Sequence, residues 1–170
     1  CDGPSLAEWL RAQTGNVPVM LAATLVRELS GAVQHAHSRG VLHRDIKPGN
    51  VMLVDTSSGT TSNQAQGRLT PKLTDFGMAK LQESLCEETR TGSTIGTPAY
   101  MAPEQAAGRV REIDSRTDVY ALGAVLYELL TGQPPFQGKT PVDTLRRVLD
   151  DDPAPIRRLR ADVPLDLEAI

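Results

Sequence analysis

The 170 residues hold only two cysteines, Cys1 and Cys86, and three histidines. Two thiols make no disulfide framework, and no group of Cys and His has the spacing of a metal site. There is no basic excess. Lys and Arg number 18 against 21 Asp and Glu, a net charge of −3, so no electrostatic case exists for binding nucleic acid. No apolar run is long enough to cross a bilayer, and none reads as a signal peptide. No Gly-x-Gly-x-x-Gly occurs, so no phosphate cradle of that kind is present. What remains is an ordinary globular composition, 39% hydrophobic and 23% charged, enough for one domain with a true core. The expected setting is cytoplasmic, with any membrane anchor outside these residues. The chain does not begin with Met and stops inside an apparent helix, so a piece of a longer protein is expected.

Chemistry is concentrated in Val41-Leu42-His43-Arg44-Asp45-Ile46-Lys47-Pro48-Gly49-Asn50-Val51-Met52-Leu53. Two short β-prone runs flank a polar Pro-Gly loop, a pattern that sets functional groups on a rigid scaffold. Asp45 can accept a proton, Lys47 can hold an anion, and Asn50 can ligate a hard cation through its carbonyl oxygen. Those three groups suit the transfer of a highly charged group.

Helical patterns lie on either side. Ser5 with Glu8 forms a capping box before a short amphipathic helix that Gly15 and Pro18 break. Val19 to Ser38 carries Leu21, Leu25, Leu29, Ala32, Val33 and Ala36 at helical spacing, and Gly40 is its C-cap candidate. His35 and His37 read as surface groups favourable to the helix dipole. Ser115-Arg116-Thr117-Asp118 reads as a capping box opening a buried helix through Val119, Leu122, Val125, Leu126, Leu129 and Leu130, ended by Gly132 and Pro134. Thr140 to Asp150 holds a further helix. Arg157, Arg158 and Arg160 read as a solvated face, and Pro164 opens a last helix.

Between these lie the irregular parts. Residues 55–68 are small, polar and low in complexity, and should form a mobile loop joining two strands. Pro71 to Thr74 reads as a strand leading into Asp75-Phe76-Gly77. Asp75 supplies an oxygen ligand for Mg²⁺, and Gly77 permits backbone angles closed to other residues. Met78 to Met101 lacks apolar periodicity and suits a loop that can order or disorder. Then comes Gly96-Thr97-Pro98-Ala99-Tyr100-Met101-Ala102-Pro103-Glu104.

His43-Arg44-Asp45 with Lys47 and Asn50, then Asp75-Phe76-Gly77, then Ala102-Pro103-Glu104 resemble, in order and spacing, the motifs of the protein kinase family. Lys47 two residues after Asp45 is the serine/threonine form, and the wording around Glu104-Gln105 and Tyr120-Ala121-Leu122-Gly123 is similar to eukaryotic-like kinases of bacteria. The resemblance implies a mainly α fold: the helical C-terminal lobe of a kinase, with short β-hairpins around the catalytic loop. It covers nearly all of the chain but only part of a kinase domain of about 250 residues. It ends before the region that would supply an arginine to Glu104. The strand whose lysine binds the α- and β-phosphates, and the helix with its glutamate partner, have no counterpart here.

The resemblance implies further that ATP and Mg²⁺ are bound and that Ser/Thr-containing proteins are the acceptors. Asp45 would be the base, Lys47 would stabilise the transferring phosphoryl group, and Asn50 and Asp75 would hold Mg²⁺. Met52 would contact adenine from below, Cys1 would lie at the end of the interlobe hinge, and Ser5 near the ribose. Phe76 would pack under the loop, and Thr97 would hydrogen-bond toward Asp45 and Lys47. Thr89 and Thr91 would be sites of activating phosphorylation, with Arg44 and Lys80 receiving the phosphate. Asp118 would accept bonds from the backbone near His43 and Arg44. Residues 55–68 depart from the tight turn usual at that place. Two rivals are a catalytically dead kinase fold serving as a scaffold or binding module, and a small-molecule phosphotransferase of related fold.

Overall fold

A computed structural model describes residues 3–56, 69–76 and 97–168. Two long helices form its frame. The first, α2 (Val19–His37), follows the short α1 (Leu6–Ala12). The second, α4 (Ser115–Thr131), follows the one-turn α3 (Pro103–Ala106). Ala22, Leu25, Leu29 and Val33 recur every three or four residues along α2 and are all at most 3% exposed. This stripe packs on α4, where Ala121, Leu122, Val125, Leu126, Leu129 and Leu130 are buried. Ala32 of the expected stripe is exposed. Fully burying a Leu side chain contributes roughly 1.5–3 kcal/mol, so this seam contributes substantially to stability. Val119, expected in the buried set, is 59% exposed. Its neighbour Asp118 takes the inward direction, which turns Val119 outward.

Local chemistry explains where these helices start and stop. The Ser5 hydroxyl accepts the Glu8 amide at 3.2 Å, and the Glu8 carboxylate accepts the Ser5 amide at 2.8 Å. The Ser5 amide, and next the Ser5 hydroxyl donating to the same carboxylate at 2.8 Å, hold the Glu8 carboxyl below its usual range. After α2, Gly40 takes φ 72° and donates its N–H to His37 O. The cap of α4 differs from the expected Ser115. Asp114 occupies it, its carboxylate accepting the Arg116 amide at 2.8 Å, because an acid is as good a cap as a hydroxyl and Arg116 adds a salt bridge to it. Gly132, at φ 78°, closes α4. Thr140 caps α5 (Pro141–Asp150) through the Asp143 amide.

Between α2 and α4 lies an antiparallel pair, β1 (Val51–Asp55) and β2 (Leu69–Leu73), in register Val51↔Leu73 through Asp55↔Leu69. Val51 and Leu53 point into the core. The segment before α1 runs beside β1: Leu53 donates to Pro4 O at 2.9 Å, and Ser5 bridges Met52. A Cβ on Gly3 would sit 2.0 Å from Leu53 O, so this approach requires glycine. The expected strand at Val41–Leu42 does not form. The amides of His43 and Arg44 that follow bond to a side chain, Asp118, rather than to a neighbouring strand.

The remaining helices among the described residues are the single turns α6 (Ile156–Leu159) and α7 (Leu165–Glu168), with 3₁₀ turns at Pro98–Tyr100 and Val110–Glu112. Arg160 is corrected from a solvated group to a buried one. At 9% exposed, it donates to Val17 O at 2.6 Å and Leu130 O at 3.2 Å, and it pairs with Asp162. It therefore ties the entry of α2 to the end of α4, satisfying carbonyls that burial would otherwise strand.

Candidate functional site

The segment 41–50 crosses between α2 and β1 without regular structure up to a 3₁₀ turn at Pro48–Asn50. Side chains from other elements hold it. Asp118, 1% exposed on the first turn of α4, is the main one. Its Oδ1 accepts the Arg44 amide at 2.7 Å, and its Oδ2 accepts the His43 amide at 2.9 Å and His37 Nε2–H at 2.7 Å. A buried carboxylate demands such donors. Arg44 takes φ 66°, a left-handed conformation uncommon for a residue with a Cβ. Its carbonyl accepts Gln105 Nε2–H at 2.8 Å.

His43 is 1% exposed and links two parts of the site. Its Nδ1 accepts the Asp45 amide at 3.3 Å, which places the ring proton on Nε2 for donation to Thr74 O at 2.8 Å. The Phe76 ring stands edge-on to it at 4.7 Å. His43 thus joins the loop of Asp45 to the turn of Asp75.

Asp45, Lys47 and Asn50 converge. Lys47 Nζ lies 3.1 and 2.8 Å from the two Asp45 carboxylate oxygens. Asn50 Nδ2 donates to Asp45 O at 2.8 Å and to Asp45 Oδ2 at 2.9 Å. Two acceptors on Nδ2 settle the carboxamide orientation and turn Asn50 Oδ1 away from Asp45, available as a ligand. Asn50 is 8% exposed, while the Asp45 and Lys47 side chains are 28% and 23% exposed: buried enough to be oriented, open enough to meet a substrate. The Asn50 carbonyl accepts the Thr74 amide at 2.9 Å and its hydroxyl at 3.1 Å. The next residue, Asp75, is exposed, has φ 64°, and among the described residues accepts a long 3.4 Å bond from the Thr74 hydroxyl. Its carboxylate and Asn50 Oδ1 are hard oxygen donors, the type that could hold Mg²⁺. Among the described residues, no three His, Cys, Asp or Glu cluster as a metal site.

The other expected residues are dispersed. Met52 is half-buried on β1, opposite Lys72. The Ser5 hydroxyl is occupied by Glu8. Thr97 is exposed, and the expected bond to Asp45 or Lys47 is not made among the described residues, Lys47 being turned onto Asp45 instead. Cys1, Gly77, Lys80, Thr89 and Thr91 lie outside the described residues, as do positions 57–68 of the polar loop. Tyr100 donates its hydroxyl to Glu128 at 2.6 Å. Burial, and secondarily that bond, push the Tyr100 phenol up; burial also raises the Glu128 carboxyl, against the effect of the Tyr100 bond. The carboxylate of Glu104 accepts the Thr117 hydroxyl.

His37 and Gln105 are the site residues that the motifs did not single out. His37, read from sequence as a surface group, is half-buried against Asp118, whereas His35 is exposed as expected. The signal was present: Leu25, Leu29, Val33 and His37 are spaced by four and share one face of α2.

The family model described as "Protein kinase domain" matches residues 1–164. Over 152 residues the chain is 43% identical to the serine/threonine-protein kinase PkaA of Streptomyces coelicolor, covering 89% of the chain and 26% of that protein. It is 36% identical over 169 residues to the serine/threonine-protein kinase PknB of Mycobacterium leprae, covering 99% of the chain and 25% of that protein. With the DNA damage-responsive serine/threonine-protein kinase RqkA of Deinococcus radiodurans it shares 43% identity over 148 residues, 86% of the chain and 20% of that protein. The chain thus spans about a quarter of the length of the first of these curated relatives.

Proposed function

The chain belongs to the protein kinase domain family, and from that membership we propose that the protein carrying it transfers the γ-phosphoryl group of ATP to serine or threonine hydroxyls of other proteins. One observation carries the reading: Lys47 and Asn50 both bond the carboxylate of Asp45, at 2.8 to 3.1 Å, on a loop whose backbone is clamped by a buried acid. Phosphoryl transfer asks the protein for position and charge stabilisation more than for covalent chemistry, and this cluster offers both.

In the proposed reaction, Asp45 orients the acceptor hydroxyl and takes its proton as the hydroxyl oxygen bonds to phosphorus. The bond from the γ-phosphorus to the bridging oxygen breaks, and ADP leaves with the electron pair. Lys47, beside Asp45, stabilises the charge on the phosphoryl oxygens. Asn50 Oδ1 and the Asp75 carboxylate would hold Mg²⁺. When bound, that ion neutralises phosphate charge. Met52, on the strand that the N-terminal segment pairs with, lies below the adenine. Thr97 and Tyr100 belong to the turn that receives the acceptor segment. Thr89 or Thr91, once phosphorylated, would be received by Arg44 and Lys80.

The test is transfer from labelled ATP by the full-length protein in the presence of Mg²⁺, offered a generic Ser/Thr protein on one hand and small alcohols or an aminoglycoside on the other. Label on protein alone is expected. Label on the small molecules alone would make it a small-molecule phosphotransferase, and no label on either would make it a scaffold.

A further inference from the structure

Arg44 and Asp75 are the only described residues other than glycine with positive φ. The left-handed conformation of Arg44 is disfavoured by its own Cβ, so surrounding groups must impose it. Both of its backbone polar groups are held by side chains distant in sequence. Its N–H goes to Asp118 Oδ1 at 2.7 Å, and its C=O accepts Gln105 Nε2–H at 2.8 Å. The other end of the Gln105 carboxamide, Oε1, accepts the Ala102 amide at 3.1 Å. With an acceptor facing its nitrogen and a donor facing its oxygen, this carboxamide fits in one orientation only.

The carbonyl that Gln105 holds belongs to the peptide plane whose N–H is that of Asp45. That N–H points to His43 Nδ1 at 3.3 Å. Because the peptide unit is planar, fixing its oxygen from Gln105 and its hydrogen from His43 sets the direction in which Asp45 leaves the backbone. We propose that Gln105 is a positioning residue for Asp45, coupling the segment from Thr97 to Ala106 to the catalytic loop through the Arg44 carbonyl. This rests on the reading of Asp45 as the base. It makes the placement of the base depend on the segment that faces the acceptor: when residues 102–105 shift, the Arg44 carbonyl loses its donor and the Asp45 peptide is freed to rotate.

Gln105→Glu separates this role from plain helix capping. Glu keeps the length of the side chain and an oxygen for the Ala102 amide, and negative charge in a first helical turn is favourable. It removes the donor and sets a carboxylate oxygen against the Arg44 carbonyl. In the full-length protein the Glu variant is expected to lose about tenfold in kcat with the KM for ATP nearly unchanged, the signature of a misplaced reacting group rather than of weaker nucleotide binding. Hydrogen exchange at the Arg44 and Asp45 amides is expected to quicken by about tenfold, with little change in Tm. Gln105→Met, lacking both functions, should match Glu in kcat and exchange but also lower Tm. Wild-type kcat and wild-type exchange in the Glu variant would overturn the proposal and leave Gln105 as a cap. Should the wild-type protein transfer no phosphate at all, the kinase reading fails, and exchange at Arg44 and Asp45 still decides whether Gln105 holds that peptide.

Discussion

His37 Nε2 and Asp118 Oδ2 lie 2.7 Å apart, joining the last turn of α2 to the first turn of α4. The same carboxylate takes the amides of His43 and Arg44, so the two long helices and the loop meet on one acid. Removing that acid leaves three donors without their partner. Asp118→Ala is expected to destabilise the domain by about 3 kcal/mol, the scale for breaking a buried, charge-assisted network. His37→Ala, which leaves the two backbone donors in place, should cost about 1–2 kcal/mol. Urea unfolding of both variants checks the order. An Asp118→Ala protein no less stable than His37→Ala would contradict the clamp.

Asp45→Asn is the direct test of the base. Asn preserves the shape and an acceptor for Lys47 but cannot take a proton. Phosphate transfer is expected to fall by at least about 100-fold, the lower range attributed to general base catalysis. Nucleotide affinity should remain close to wild type, since Asn50 and Asp75 are untouched. Transfer and affinity measured in parallel on the full-length protein decide it. Near-normal transfer would remove Asp45 from the mechanism.

Much of this site was legible in the sequence because its chemistry is local. Asp45, Lys47 and Asn50 fall within six residues, so motif spacing alone brings them together, and the structure places them within hydrogen-bond distance. The two long helices were legible from apolar periodicity, apart from the exposure of Ala32 and the outward turn of Val119. What escaped was set by residues far apart in sequence. Gln105 reaches Arg44 across 61 positions, His37 reaches Asp118 across 81, and Arg160 reaches Val17 across 143. A polar side chain on a helix end or a basic run looks solvated until its buried partner is known. Asp114 rather than Ser115 caps α4 for a simpler reason: two adjacent capping residues compete, and the salt bridge to Arg116 favours the acid.

Glu128 makes stability depend on pH. Burial raises its carboxyl, even with the Tyr100 hydroxyl donating to Oε2 at 2.6 Å. Arg11 lines the same cavity. A carboxyl raised in the folded state binds more protons folded than unfolded. This group's contribution to stability therefore declines as pH rises from about 4.5, its unfolded value, through the raised folded value. Glu128→Gln keeps an oxygen for Tyr100 and removes the titration. The difference in unfolding free energy, Gln variant minus wild type, is expected to grow from about pH 4 to about pH 7. A difference that stays constant or shrinks over that interval would contradict the assignment.

Thr89 and Thr91 stand between Asp75-Phe76-Gly77 and Ala102-Pro103-Glu104, the interval in which kinases are switched by phosphorylation. A phosphate adds nearly two negative charges and three strong acceptors, and Arg44 and Lys80 match the positions expected to receive it. Mass spectrometry of the active full-length protein should find phosphate on one or both threonines, in preference to Ser93 and Thr94. A Thr89→Ala/Thr91→Ala variant is expected to lose about tenfold or more of its activity. Full activity in that double variant would refute the switch.

Residues 1–170 as an isolated polypeptide are expected to transfer no measurable phosphate. The proposed base, the proposed metal donors and the strand proposed to lie under adenine are all within them. The sequence contains no Gly-x-Gly-x-x-Gly to cover the phosphates, and the resemblance implies no counterpart of the strand lysine that pairs with them. ATP on this lobe alone would be held from one side and open to water, which forfeits the fixed near-attack geometry on which the rate depends. Folding and activity separate here. The α2–α4 seam is built entirely from described residues, with Leu25, Leu29, Val125, Leu129 and Leu130 each at most 1% exposed, and Asp118 and Arg160 find their partners within the same lobe. The polypeptide should therefore give a helical circular-dichroism spectrum and a cooperative melt while remaining inert. Incubation with labelled ATP, Mg²⁺ and a generic protein acceptor, with the Asp45→Asn form as control, measures the second half of that expectation. Label above the control would show that this lobe positions the γ-phosphate unaided, and the role assigned to a covering lobe would have to be abandoned.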